Sequence, residues 1–169
     1  MSTLKIGICG WGNVATGLYK IAKNNIESIK KQGNLDIEIV VIGARRDNPN
    51  CKPENVIIER DIFNVVNHDI DVMVELIGGV DVAKDLILKA LKKKKHVVTA
   101  NKAVIYNHGD EIFACAKENG VKVLFESSVC AGTPIIKLLT EELSANKISK
   151  ISGMLNGCLL YTSDAADDM

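Results

Sequence analysis

A chain of 169 residues can bury one hydrophobic core and the start of a second layer, but not two full domains. Its 21 Lys and Arg balance 21 Asp and Glu, so no net field attracts nucleic acid or an anionic membrane surface, and a small-molecule partner fits better. No stretch approaches the roughly 20 apolar residues that span a bilayer, and the opening MSTLKIGICG lacks the apolar length and cleavage pattern of a signal peptide, so the expectation is a cytoplasmic protein.

Residues 4–9 (LKIGIC) read as a short buried strand. From Val14, apolar side chains recur at Leu18, Ile21, Ala22, Ile26 and Ile29, which is helical spacing, and Gly33 with Asn34 stops the run. The β-branched stretch 37–42 (IEIVVI) is a second strand. Residues 47–54 hold two of the three prolines and read as loop, followed by a short apolar run at 56–58. Asp61 looks like the N-cap of a short helix reaching Val66. Residues 71–77 form the next strand, closed by Gly78 and Gly79; 82–94 is an amphipathic helix and 96–99 another strand. A helix over 109–118, a strand over 121–125 and a helix over 134–143 with Pro134 in its first turn complete the pattern. Strands alternating with helices predict an α/β fold with a doubly wound parallel sheet of the Rossmann kind. Lys92, Lys93, Lys94 and Lys95 sit at a helix C-terminus, where cations complement the helix dipole, and are read as structural.

Three glycines follow the first strand in GWGNVATG, at the head of the first helix. Gly10 permits the tight turn, Gly12 lets the backbone approach a pyrophosphate, and the helix N-terminus supplies donors and positive potential; Ala15 takes the small third position. The pattern predicts dinucleotide binding, against the plainer reading of a strand-to-helix turn serving another ligand. The second strand ends in GARRD. Arg45 and Arg46 favour the 2′-phosphate of NADP over NAD, although Asp47 follows closely and solvated loop arginines are the alternative. Cys9, Cys51, Cys115, Cys130 and Cys158 are an odd set with no CxxC pair, pointing to reduced thiols rather than disulfides or a zinc site.

Five segments in order, GWGNVATG at 10–17, VELIGG at 74–79, HVVTANKA at 96–103, FESSVCAGTPIIK at 125–137 and ISGMLNG at 151–157, together resemble homoserine dehydrogenase. Members of that family interconvert aspartate semialdehyde and homoserine with NAD(P), a step towards threonine, methionine and isoleucine. The resemblance implies a Rossmann domain over 1–130, the beginning of a substrate and dimerisation domain over 131–157, and a homodimer for the complete enzyme. It also implies that Trp11, Gly12, Asn13 and Val14 lie along the cofactor, that Gly78 and Gly79 let it pass over the end of the fourth strand, and that Thr99 and Lys102 come next. The family places that lysine near nicotinamide and substrate, where a cation suits a carboxamide or a developing alkoxide; from the residues alone Lys102 reads as a surface lysine. Glu126, with Val129, Ala131 and Thr133, matches the loop that holds a monovalent cation, usually sodium, through a carboxylate and backbone carbonyls. Ala131 stands for a usual Gly and Thr133 for a usual Ile, and a carboxylate capping the next turn is the alternative for Glu126.

The match ends at Gly157. Residues 158–169 (CLLYTSDAADDM) do not continue into the family's next helix, and its acidic pair and second lysine, which bind substrate and manage the proton, are absent from this sequence. A short strand over 149–155 would lack neighbours and leave an open edge. The expectation is a truncated amino-terminal portion that binds cofactor without turnover. A non-catalytic dinucleotide-binding module is the competing class. A phosphate-dependent aldehyde dehydrogenase, with Cys130 as nucleophile, is a third reading, but His68, His96 and His108 have no motif around them.

Overall fold

The computed structural model describes residues 2–153. Its centre is β1 (Thr3–Cys9), whose side chains alternate between two apolar clusters: Ile8 joins Ala15, Ile42 and Val74 on one side of the sheet, and Cys9 joins Val41, Met73 and Leu86 on the other. A central strand covered on both faces reads as a nearly continuous apolar run, which is why 4–9 and 37–42 were recognisable without strict alternation. The chain leaves β1 through α1 (Asn13–Asn24) and α2 (Ile26–Gly33) to β2 (Asp36–Gly43) and β3 (Ile57–Glu59), and a 3-10 turn at Ile62–Asn67 carries it back. It then runs through β4 (Val72–Glu75), α3 (Asp81–Lys92), β5 (His96–Thr99), α4 (Lys102–Asn119) and β6 (Val123–Leu124), ending in α5 (Glu126–Val129), α6 (Ile135–Lys137) and a π turn at Leu138–Glu142. All pairs are parallel in the order β3-β2-β1-β4-β5-β6. The order reverses between β1 and β4, and the crevice beyond the carboxyl ends of those two strands is where such sheets bind ligands.

Several expectations shift in detail. The helix predicted from Val14 onward is two helices broken at Asn25, whose side-chain amide donates to the Ile21 carbonyl. Its inward face is also rotated: Ala15, Thr16, Tyr19 and Ala22 are buried, whereas Val14 and Ile21 are more than half exposed. Ala15 and Ala22 allow the helix to lie close to the sheet, and Tyr19 fills the space beside them. The helix expected at 109–118 begins seven residues earlier, at Lys102, because the Asn101 side chain accepts from the Val104 amide as an N-cap. Non-helical backbone at His108 (φ −134°) interrupts its apolar periodicity, which hid the first half. The strand at 121–125 shrinks to two residues, and the helix at 134–143 to a three-residue turn and a π turn. Of the strand expected at 149–155, residues 149–153 make no sheet pairing, and 154–155, with the tail from 158, lie outside the described residues. Asp61 caps as expected, accepting from the Phe63 amide, but the element is 3-10 rather than α. No helix among the described residues is long and apolar enough to cross a membrane.

Candidate dinucleotide site

The crevice between β1 and β4 is a cleft of about 660 Å³ lined by Gly10, Trp11 and Gly12 from one turn, Ala44, Arg45 and Arg46 from the end of β2, and Leu76, Ile77 and Gly78 from the end of β4. The two glycines of the first turn do different work. Gly10 has φ +104°, and a Cβ there would stand 2.6 Å from the Leu76 carbonyl oxygen, so it serves the fold. Gly12 also lines the cleft, and a Cβ there would meet no protein atom within 4 Å. Gly12 is also the N-cap of α1 and offers no side-chain acceptor, and the first turn of α1 has no acidic residue. The leading amides of the helix, Asn13 and Val14 among them, therefore have no side-chain partner, which is the arrangement that receives an anion. The Val14 side chain is 64% exposed and does not line the cleft.

Trp11 is fixed from outside. Its indole Nε1 donates to the Cys51 carbonyl at 3.1 Å, its own carbonyl accepts from Asn48 Nδ2 at 3.2 Å, and its ring meets Tyr19 edge-on with centroids 5.5 Å apart. The Tyr19 hydroxyl accepts from the Glu54 amide at 3.0 Å. The proline-bearing loop 47–54 is thus latched onto the glycine turn, a contact across about 40 residues that no local sequence pattern announces. Arg60, which no sequence motif marks, donates its guanidinium to the Ala44 carbonyl and to Asp47 at 2.7 Å. The acidic residue that clouded the cofactor reading is thereby turned to a partner, while Arg45 and Arg46 face the cleft.

At the other end of the cleft, Gly78 and Gly79 turn with φ of +72° and +75°. Beneath them lies Glu75, fully buried, whose carboxylate accepts from the Ile77 amide at 2.9 Å and from the Thr99 hydroxyl at 2.5 Å. Thr99 is itself fully buried and does not line the cleft. The sequence signal for Glu75 is a charge set between apolar residues inside the strand predicted at 71–77. Burial first, and the Glu75 charge second, push the Cys9 thiol up to about 12, so Cys9 is a protonated core residue and not a nucleophile. Lys102 is the first residue of α4 and exposed, and its side chain has no hydrogen bond or ion pair to the described residues.

The segment around Glu126 is closed on itself. Both carboxylate oxygens accept backbone amides, from Ile136 at 2.7 Å and Lys137 at 3.0 Å, and the Thr133 carbonyl accepts from the Ile135 amide. Val129 ends α5, and Ala131 follows in the turn to Gly132 (φ +80°). The capping role weighed for Glu126 is the one the geometry displays. No cluster of three His, Cys, Asp or Glu side chains suited to a metal occurs among the described residues.

A family model described as the homoserine dehydrogenase NAD-binding domain matches residues 10–126. The chain belongs to the homoserine dehydrogenase family. It is 49% identical over 158 residues to the homoserine dehydrogenase of Pseudomonas aeruginosa, covering 93% of this chain and 36% of that protein, and 35% identical to that of Bacillus subtilis, with 93% and 37% covered. Among solved structures, the homoserine dehydrogenase of Thiobacillus denitrificans aligns with a TM-score of 0.80 at 38% identity over 86% of this chain and 34% of that one. A hyperthermophilic archaeal homoserine dehydrogenase in complex with NADPH aligns at 0.66 and 26% identity, over 81% of this chain and 48% of that one. The chain spans about a third of the length of the curated homoserine dehydrogenases it matches. The matched span includes the glycine turn, both cleft arginines, Gly78, Gly79, Lys102 and Glu126; Val129, Ala131 and Thr133 lie past its end.

Proposed function

We propose that the chain is the NADP(H)-binding part of an oxidoreductase that moves hydride between L-homoserine and L-aspartate 4-semialdehyde, in the biosynthesis of threonine, methionine and isoleucine. The observation that carries the reading is the α1 N-terminus, uncapped and opening through Gly12 onto the cleft where the strand order reverses. The pyrophosphate goes to that terminus, with Trp11, Asn13 and Val14 along it and Gly78 and Gly79 at the other end, while Thr99, buried behind the cleft, supports that end through Glu75 rather than touching the dinucleotide. Arg45 and Arg46 meet the 2′-phosphate, the choice of NADP over NAD being supported by the withdrawal of Asp47 to Arg60. When bound, the dinucleotide supplies a nicotinamide that gives up or accepts hydride. Lys102, exposed beyond the end of β5, then polarises the substrate oxygen.

Residues 1–130 constitute the dinucleotide domain and 131–157 the beginning of a substrate and dimerisation domain, with 158–169 outside the family pattern. The protein is cytoplasmic, has no nucleic-acid or membrane partner, and the complete enzyme is a homodimer. Glu126 holds the start of α6 through the Ile136 and Lys137 amides, and a monovalent cation such as sodium would be held by Glu126 and the backbone carbonyls of Val129, Ala131 and Thr133. The second reading, a dinucleotide-binding module without catalysis, describes the chain as it stands: Lys102 has no carboxylate partner among the described residues to manage a proton. Titration of the chain with NADPH and NADH, followed by Trp11 fluorescence, tests the cofactor. Tighter binding of NADPH is expected, and failure to bind either overturns the reading. Homoserine oxidation above that of a Lys102→Ala control would remove the claim that the chain lacks turnover.

A further inference from the structure

Glu75 is a complete carboxylate buried at 0% exposure beside the cleft, and nothing in the proposed chemistry uses it. Its Oε1 accepts from the amides of Ile77 and, more weakly, Gly78 at 3.4 Å, while Oε2 accepts from Thr99 Oγ1. Thr99 Oγ1 in turn accepts from the Asn101 amide at 3.0 Å, and the Thr99 carbonyl accepts from the Ser128 hydroxyl at 2.8 Å. Asn101 closes the circuit: its Nδ2 donates to the Gly79 carbonyl at 2.6 Å and its Oδ1 caps α4 directly ahead of Lys102. One buried group therefore ties together the Gly78–Gly79 turn, the end of β5 and the start of the helix that bears Lys102.

We infer that Glu75 is a positioning residue for the nicotinamide half of the dinucleotide, holding the Gly78–Gly79 turn and the Lys102 end of α4 as one unit. The inference rests on the cofactor reading above. Three donors converge on the side chain, which demands acceptors at both of its oxygens. By drawing the amides of Ile77 and Gly78 inward, Glu75 also removes two anion-binding donors from the β4 side of the cleft. Backbone donors are thereby concentrated at α1, and the dinucleotide is oriented with its phosphates there and its uncharged carboxamide end towards Gly78. Glutamine in this place cannot satisfy the network. With its amide towards Thr99, the hydroxyl proton loses its acceptor; with its amide towards Ile77 and Gly78, donor faces donor.

The test compares two probes on the 169-residue chain: NADPH, and 2′,5′-ADP, which carries the phosphate and adenosine but no nicotinamide. For Glu75→Gln the dissociation constant for NADPH rises about tenfold, as expected for one disrupted charge-assisted bond. That for 2′,5′-ADP stays within about twofold, and the amides of Ile77 and Gly78 exchange hydrogen faster. A general loss of structure would weaken both ligands alike, so a proportional loss, or no loss for either, overturns the inference. Should Glu75→Gln fail to fold, Asn101→Ala, which cuts the Gly79 tie from a half-exposed position, gives the same selective loss or refutes it. If the unaltered chain binds 2′,5′-ADP and NADPH equally well, the inference fails and the cofactor reading stands; if it binds neither, both fail.

Discussion

Replacing Gly12 by alanine adds a methyl group that touches no protein atom, at a residue whose φ of −88° and ψ of −164° suit any L-residue. The unfolding free energy should stay level or rise by up to about 1 kcal/mol, because alanine restricts the unfolded chain. On the proposed function the same methyl would crowd the pyrophosphate at this turn. Overpacking a close contact costs roughly 1–3 kcal/mol, so NADPH affinity should fall about 10- to 100-fold. Gly10→Ala is the mirror experiment. Its φ of +104° is foreign to alanine, and the new Cβ would stand 2.6 Å from a backbone oxygen that cannot swing aside. Strain and overlap together amount to about 3 kcal/mol or more, a fall of roughly 6–12 °C in Tm for a chain of this size. Thermal unfolding without ligand, followed by NADPH titration, measures both variants. A Gly12→Ala chain as unstable as Gly10→Ala, or one binding NADPH like the parent, would refute the division of labour between the two glycines.

The remaining predictions concern charge and capping. Arg45→Ala with Arg46→Ala should weaken NADPH by about tenfold or more and leave NADH nearly unchanged, measured by calorimetry; equal losses would remove the 2′-phosphate assignment. Cys9 is pushed up to about 12 from its usual 9.0. A group whose pKa is raised by folding contributes stability that is complete below the unfolded value and declines as pH rises towards the folded one. Stability should therefore fall between pH 9 and 12, more steeply than in Cys9→Ala, as followed by urea unfolding across that range. Asp61→Ala removes the acceptor for the Phe63 amide and should cost about 1 kcal/mol, with no change in cofactor affinity.

Much of the fold was legible because its signals are local. The strand at β1, the stop at Asn34 with its left-handed φ of 48°, the cap at Asp61 and the glycines after β4 each depend on neighbours a few residues away. Where a local signal was absent, the reading slipped: Asn101 starts α4 in a stretch whose periodicity His108 breaks, and Val14 and Ile21, read as part of the apolar face, are exposed while Thr16 and Tyr19 are buried. For the candidate site, the glycine turn and the arginines were visible, whereas Arg60, Asn48 and Glu75 were not.

The sequence by itself determined the parallel α/β plan, the cofactor turn and the family, since period, turn chemistry and motif order are all written along the chain. Only the tertiary structure decided which groups answer one another across it. It turned Asp47 to Arg60, latched Trp11 to the Cys51 carbonyl, engaged both Glu126 oxygens with the amides at the start of α6, and set Glu75 beneath the Gly78 turn against Thr99. These pairs span between 2 and 40 residues. The Glu75–Thr99 pair is fully buried, and a buried polar group takes whichever partner folding delivers, because leaving it without one costs more than any local preference supplies.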